Sequence, residues 1–208
     1  MGRRSIIYID GFNFYYGAVR GTTDKWLNIQ RLCERLRQDD DIQTIKYFTA
    51  IVSGPTQANQ LVYLRALATC PKVHIVLGKF KNKNLTCRVA SCTYSGPRRY
   101  VAAEEKRTDV SIAVHLVDDA YQDAADRFVV ISGDSDLVPA LNFTKLRFPK
   151  KQLIVYVPTR NAARGAAVEL RSAADKNRTF PLALLPRCQF PVTLPDGHGG
   201  TITKPSAW

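Results

Sequence analysis

Ser5-Ile6-Ile7-Tyr8-Ile9 is a short, uninterrupted apolar run closed by Asp10-Gly11. A strand without polar alternation has to be covered on both faces, which is the condition of a parallel strand inside an α/β sheet. The pattern recurs along the chain. Ile42 to Val52 (ended by Ser53-Gly54-Pro55), Val73 to Leu77, Phe128 to Ile131 and Leu153 to Val157 read as further strands, with a last one over Phe180 to Leu185. Segments of helical spacing lie between them. They are Asn28 to Gln38 with Asn28 as its cap, Gln57 to Cys70 stopped before Pro71, Glu104 to Tyr121, Asp136 to Leu146, and Ala162 to Ala174. This alternation predicts an α/β fold with a mainly parallel sheet covered on both faces. The Glu104–Tyr121 helix is expected to bury Val110, Ala113, Val114, Val117 and Tyr121. Residues 79–103 are polar and basic without helical period and read as an insertion, with a hairpin one form for it. One domain over 1–185 and an irregular Pro/Gly-containing tail over 186–208 follow.

Composition narrows the partner. At 45% hydrophobic residues the chain can bury a core, which excludes wholesale disorder. No apolar run approaches the roughly 20 residues of a membrane span, so no membrane association is expected. The opening runs directly into a strand pattern rather than a secretory leader. Five cysteines, an odd and sparse count, suit a reducing, cytoplasmic setting. The net charge of +12 points to a polyanion, nucleic acid first. That charge is uneven: +10 over residues 1–100, −6 over 101–136 and +8 over 137–208. Asp118, Asp119, Asp123 and Asp126 read as solvated acids around a helix end. Asp109, Asp134 and Asp136 need a different explanation.

Ligands of parallel sheets bind at the carboxyl ends of the strands, near the switch in strand order. Asp10 follows the first strand, and Asp134 and Asp136 follow the Phe128–Ile131 strand in Ser132-Gly133-Asp134-Ser135-Asp136. Asp109 sits near the start of its helix, on the flank of the buried stripe. Each has a bland reading: a plain Asp-Gly turn, a dipole partner behind Thr108, a helix cap. Those readings predict no convergence, whereas the strand-end rule brings all four carboxylates into one cleft. Four carboxylates there would repel or take up protons unless a cation neutralised them. An all-oxygen set with no histidine nearby suits a hard divalent ion, Mg²⁺ or Mn²⁺. Asp134 and Asp10 are the expected direct ligands, with Asp136 and Asp109 completing a second site or orienting waters.

Three blocks carry a resemblance: Ile7-Tyr8-Ile9-Asp10-Gly11-Phe12-Asn13-Phe14-Tyr15, Glu105-Lys106-Arg107-Thr108-Asp109-Val110, and Ile131-Ser132-Gly133-Asp134-Ser135-Asp136-Leu137. In this order they resemble the signature blocks of the NYN domain, a group of PIN-like nucleases, and the LabA-type bacterial branch in particular. The resemblance spans roughly residues 4–181. It implies a PIN-like three-layer α/β/α sandwich and a metal-dependent ribonuclease site. It carries over Asp10, Asp109, Asp134 and Asp136 as metal-binding acids and Asn13 as an accessory polar residue. The chain departs from the branch where Ala174-Asp175 is followed by Lys176, with Phe180 further on, and where Gly165 stands in place of a serine.

Substrate contacts are expected from the insertion, where Lys79, Lys81, Lys83, Arg88, Arg98 and Arg99 interleave with Tyr94 and Tyr100. Cations and aromatics on one loop suit single-stranded nucleic acid, and a solvated basic hairpin is the equal alternative. Lys106 and Arg107 beside Asp109 could hold a phosphate. Of Phe12, Phe14, Tyr15 and Tyr16, most read as core and one could stack a base. Cys87 and Cys92 lack a second ligand pair and read as free thiols rather than zinc ligands. His115 reads as a satisfied core residue. No nucleophile elbow, Walker or dinucleotide glycine motif supports acyl transfer, P-loop hydrolysis or Rossmann redox chemistry. The leading expectation is a metal-dependent endoribonuclease acting on single-stranded RNA, with a homodimer left open. The rivals are a non-catalytic RNA-binding protein on the same fold and a phosphatase, whose Asp-x-Asp after the first strand is missing.

Overall fold

The computed structural model describes residues 2–160 and 168–208. Strands β1 (Arg3–Asp10), β2 (Asp40–Thr49) and β3 (Val73–Leu77) form one half of a sheet, and β6 (Arg127–Ile131), β7 (Gln152–Val157) and β8 (Lys176–Thr179) form the other. The six run parallel in the order β3-β2-β1-β6-β7-β8. Strand order therefore reverses between β1 and β6. The intervening antiparallel pair, β4 (Lys79–Thr86) and β5 (Arg99–Lys106), stands outside this sheet as a hairpin.

Both sheet faces are covered. Ile7 and Ile9 of β1 join Val129, Ile131 and Ile154 in one core, closed by α2 (Ile29–Leu36) and α3 (Gln57–Ala68). Ile6 and Tyr8 point the opposite way, as a period of two requires. They join Phe128, Val130 and Val155 under α4 (Thr108–Tyr121), α5 (Val138–Arg147) and α6 (Val168–Ala173). The result is the three-layer α/β/α arrangement expected. Local signals set several boundaries: Asn28 accepts the Arg31 amide at 2.8 Å and caps α2. The part of the expected 162–174 helix before Val168, with Gly165, lies outside the described residues.

Several expectations differ. Glu104 to Lys106 are strand, not helix, because they pair with Lys79 to Lys81 across the hairpin. Arg107, at φ 80°, breaks the chain direction before α4 begins at Thr108. The buried stripe of α4 is Thr108, Ile112, Leu116, Asp119 and Ala120, while Val110, Val114 and Tyr121 are exposed. Ile112 and Leu116 offer larger surface than the valines, and a helix apolar on two faces does not tell from periodicity which one meets the sheet. Asp119 is consequently buried. It accepts the Tyr8 hydroxyl at 2.6 Å and Lys46 Nζ at 2.7 and 2.9 Å.

The segment after Thr179 also differs. The last sheet strand is β8, upstream of Phe180, and Leu182–Leu184 form a 3₁₀ turn. The expected irregular tail holds a small hairpin, β9 (Thr193–Pro195) with β10 (Thr201–Thr203), and buries Cys188, Phe190, Leu194 and Ile202 in the α2/α3 core. Its apolar residues are spaced by turns, so they carry no period, but Trp26 holds the segment by donating to Pro191 O at 2.7 Å.

Candidate metal centre

β1 and β6 remain paired up to Ile9 and Ile131, so Asp10 and the Ser132–Asp134 loop emerge side by side at the reversal of strand order. Several contacts hold them in register. Asn13 N–H and the Ser132 hydroxyl donate to the two oxygens of Asp10 at 2.9 and 3.0 Å. The Asp134 N–H donates to Ser132 Oγ at 3.1 Å, and Gly133 N–H donates to Asn13 Oδ1 at 2.9 Å. Gly11 lets the chain turn here. A Cβ at this position would lie 2.6 Å from the Phe48 carbonyl oxygen.

Asp109, in the first turn of α4, reaches the same point. Carboxylate oxygens of Asp10, Asp109 and Asp134 lie within 4.8 Å of one another. Asp136 does not join them. It sits in the 3₁₀ turn Ser135–Leu137, where its N–H donates to Asp134 Oδ1 at 3.0 Å and its side chain faces solvent. Three of the four expected acids converge, and the fourth is turned away by the cap that fixes its neighbour.

The electrostatics follow from the crowding. Burial pushes the Asp10 carboxyl up to about 6, and Asp134 and Glu105 add repulsion against the pull of Asn13 and Ser132. Asp109 is also pushed to about 6, by burial and then by Asp134, Asp10, Glu105 and Asp136. Among the described residues no lysine or arginine pairs with any of the three. Three hard oxygen donors that raise one another's proton affinity fit a divalent cation, which would relieve the same repulsion.

Glu105 and Ser132 are the site residues that the sequence reading passed over. Glu105 accepts the Thr108 N–H at 3.2 Å and the Thr108 hydroxyl, so it is held beside the acids. It was hidden by the assignment of 104–107 to helix. Strand alternation could have revealed it, since Phe80 pairs with Glu105 and both face the site. Phe80 packs edge-on against Phe12 with ring centroids 5.4 Å apart.

The same alternation places Lys79, Lys81, Lys83, Glu104 and Lys106 on the other face of the hairpin. Lys106 pairs with Glu104 at 2.8 Å and Lys83 approaches it at 3.8 Å. The expected basic contacts are therefore exposed but do not line the acid cluster. Arg98 and Arg99 are exposed near the hairpin tip, and Arg107 is exposed beside Asp109. Asn13 is engaged internally and acts as a brace between β1 and the Gly133 loop. Phe14 is core, packed on Phe180, whereas Tyr15 and Tyr16 are exposed. Asp175 is likewise structural. It accepts the Leu153 N–H at 2.8 Å and pairs with Lys145. All five cysteines are free, and Cys87 and Cys92 gather no third metal-ligating group among the described residues. His115 is half-buried against Phe48 and near Lys46 Nζ, and burial lowers its pKa. No helix among the described residues is long and apolar enough to cross a membrane.

Comparison with known proteins agrees with this geometry at the level of the fold and family. The NYN domain pattern matches residues 4–182. A curated relative from Pseudomonas putida, named 6-hydroxy-3-succinoylpyridine 3-monooxygenase HspA, is 30% identical over 99% of this chain and 75% of its own length. A solved structure of a protein of unknown function from Vibrio parahaemolyticus is 19% identical. It has a TM-score of 0.57, covering 86% of this chain and 94% of that one, and so shares the fold.

Proposed function

The chain belongs to the NYN domain family, a nuclease-like family, and from that premise we propose that it is a metal-dependent ribonuclease cleaving phosphodiester bonds in single-stranded RNA. The observation that carries this reading is the convergence of Asp10, Asp109 and Asp134 at the switch point without a neutralising lysine or arginine among the described residues. Carboxylates aimed at a phosphate would repel it, so the arrangement makes sense only with a divalent ion between them. Mg²⁺ or Mn²⁺ held there would screen the phosphate charge and lower the pKa of a bound water.

The chain's own residues prepare that geometry. Ser132 and the Asn13 N–H orient Asp10, the Asp136 N–H orients Asp134, and the first turn of α4 presents Asp109. Asn13 ties the β6 loop to β1, so both strands present their acids at fixed spacing. Arg107 is the exposed cation nearest in sequence to the acids and would take a flanking phosphate. The lysine face of the hairpin would attract and guide the RNA strand by its field. Five free thiols support a cytoplasmic setting.

Cleavage of end-labelled single-stranded RNA and DNA with Mn²⁺, Mg²⁺ or EDTA, alongside Asp134→Asn, tests the proposal. RNA cleavage that needs metal and disappears in the variant is expected. Identical behaviour of wild type and variant on every substrate contradicts it, and RNA binding without cleavage would leave a regulatory binding protein. The Pseudomonas putida relative favours a second reading, oxygenation of a small aromatic acid. Loss of 6-hydroxy-3-succinoylpyridine under air with a reduced nicotinamide supplied would support it.

A further inference from the structure

Next to the acid cluster, on the α2/α3 face of the sheet, is a cavity of about 370 Å³ that the chemistry above does not use. Gly11 and Phe12 separate the two, since they follow Asp10 directly and also line the cavity. Its size lies within the roughly 300 to 1,000 Å³ of small-molecule sites. Aromatic rings from four separate stretches of sequence form its walls: Phe12, Tyr15 and Tyr16 after β1, Tyr47 on β2, Tyr63 on α3, and Trp208. Two cations, Arg20 and Lys25, stand among them. Arg20 lies over the Tyr16 ring at 5.2 Å, and neither cation pairs with a carboxylate among the described residues.

The polar groups of the walls are in different states. Gln60 is committed, donating to Ala50 O and accepting the Val52 N–H. Tyr63 is committed too, donating to Leu27 O at 2.9 Å. Tyr47 is not. It is only 7% exposed, yet its hydroxyl has no hydrogen-bond partner among the described residues. The oxygen itself is not sealed off: it opens to the cavity, where a partner from outside the chain can reach it. Aromatic walls select a flat ring, unpaired cations select a negative charge, and a free hydroxyl selects a polar atom on the ring.

We propose that this cavity binds a planar aromatic ring bearing an anionic group, with the ring stacked among the tyrosines and Trp208, the anion on Arg20 and Lys25, and a polar ring atom on the Tyr47 hydroxyl. Two sources share this chemistry: a nucleotide, base and phosphate together, and a free aromatic carboxylic acid. The assignment does not depend on which reaction the acid cluster performs.

Calorimetric titration of the full chain in EDTA tests the proposal without any cleavage. The probes are uridine 5′-monophosphate and 3-phenylpropionate, with uridine, 3-phenylpropanamide and inorganic phosphate as partial ligands. At least one charged ring compound is expected to bind tenfold or more tighter than its uncharged counterpart and than phosphate. Arg20→Met or Lys25→Met, both surface changes, should weaken it at least fivefold. Tyr47→Phe should weaken it about fivefold, the value of one hydrogen bond. Binding of the nucleotide alone makes the cavity a base subsite, and binding of the acid alone makes it a small-molecule site. Either supports the proposal. Absence of binding by both, phosphate binding as tightly as the nucleotide, or affinity indifferent to all three variants overturns it. If RNA cleavage fails while this binding stands, only the ribonuclease reading falls.

Discussion

Acids stand at both ends of α4, Asp119 near its C-terminus and Asp10, Asp109 and Asp134 around its N-terminus, and the two sites solve the same problem in opposite ways. At the C-terminal end, Asp119 is surrounded by partners: Lys46 supplies a full charge, Tyr8 donates a hydroxyl hydrogen bond, and His115 lies beside Lys46. At the N-terminal end, Asp10, Asp109 and Asp134 face one another, with hydrogen-bond donors but no lysine or arginine partner among the described residues. A buried acid neutralised from within holds the layers together. A cluster left unneutralised is poised for a cation from solvent. The distinction lies in the partners, since Asp109, Asp119 and Asp134 all come from the same acidic stretch of sequence.

Substitutions that remove an acid at one site and the neutralising cation at the other separate the two arrangements. Asp134→Asn or Asp10→Asn should lower metal-dependent RNA cleavage by at least about 1,000-fold, on the scale of losing a principal electrostatic contributor to the transition state. Circular dichroism should remain unchanged. At the other end, Lys46→Met leaves Asp119 as a buried, unpaired charge and should cost about 3 kcal/mol of stability. Chemical denaturation measures this, and cleavage per folded molecule should be retained.

A pH series sharpens the contrast. With its folded pKa raised from 3.8 to about 6, Asp10 keeps in the folded state a proton that the unfolded chain has already released. Stability of the metal-free protein is therefore greatest below about pH 4 as far as this group is concerned, and is lost as pH rises through 6. Asp10→Asn should remove that loss, raising metal-free stability at pH 7.5 by about 1–3 kcal/mol and changing little at pH 4. Asp119→Asn should give no such gain. A smaller effect is expected at the brace: Asn13→Ala frees the Gly133 loop and should reduce cleavage about tenfold, the loss of a little over 1 kcal/mol of positioning.

The frame of the molecule was legible because the central strands β1, β6 and β7 carry dense apolar runs, whereas β8, Lys176-Asn177-Arg178-Thr179, has no apolar residue and escaped. The reversal between β1 and β6 could be anticipated from Asp10 and Asp134 as strand-end residues, and their meeting is the strand-end rule in operation. What escaped was mostly long-range pairing. Nothing local in Asp119 distinguishes it from Asp118; only the opposite strand's Lys46 does. Glu105 looked helical until its pairing with Phe80 made it strand. Asp136 was expected beside Asp134 as a further site acid, and only the 3₁₀ turn that begins at Ser135 directs it away. The C-terminal segment escaped because its core residues are interrupted by Pro and Gly turns, which conceal burial from any periodicity.

The unneutralised acids, and not the neutralised one, are expected to hold a divalent ion. Titration of Mn²⁺ into the metal-free protein, followed by calorimetry for wild type, Asp109→Asn and Asp119→Asn, tests it most directly. Wild type and Asp119→Asn should bind Mn²⁺ with the same affinity, and Asp109→Asn should bind at least tenfold more weakly. Equal affinity for all three proteins, or no binding by wild type, would rule out a divalent-ion site at Asp10, Asp109 and Asp134.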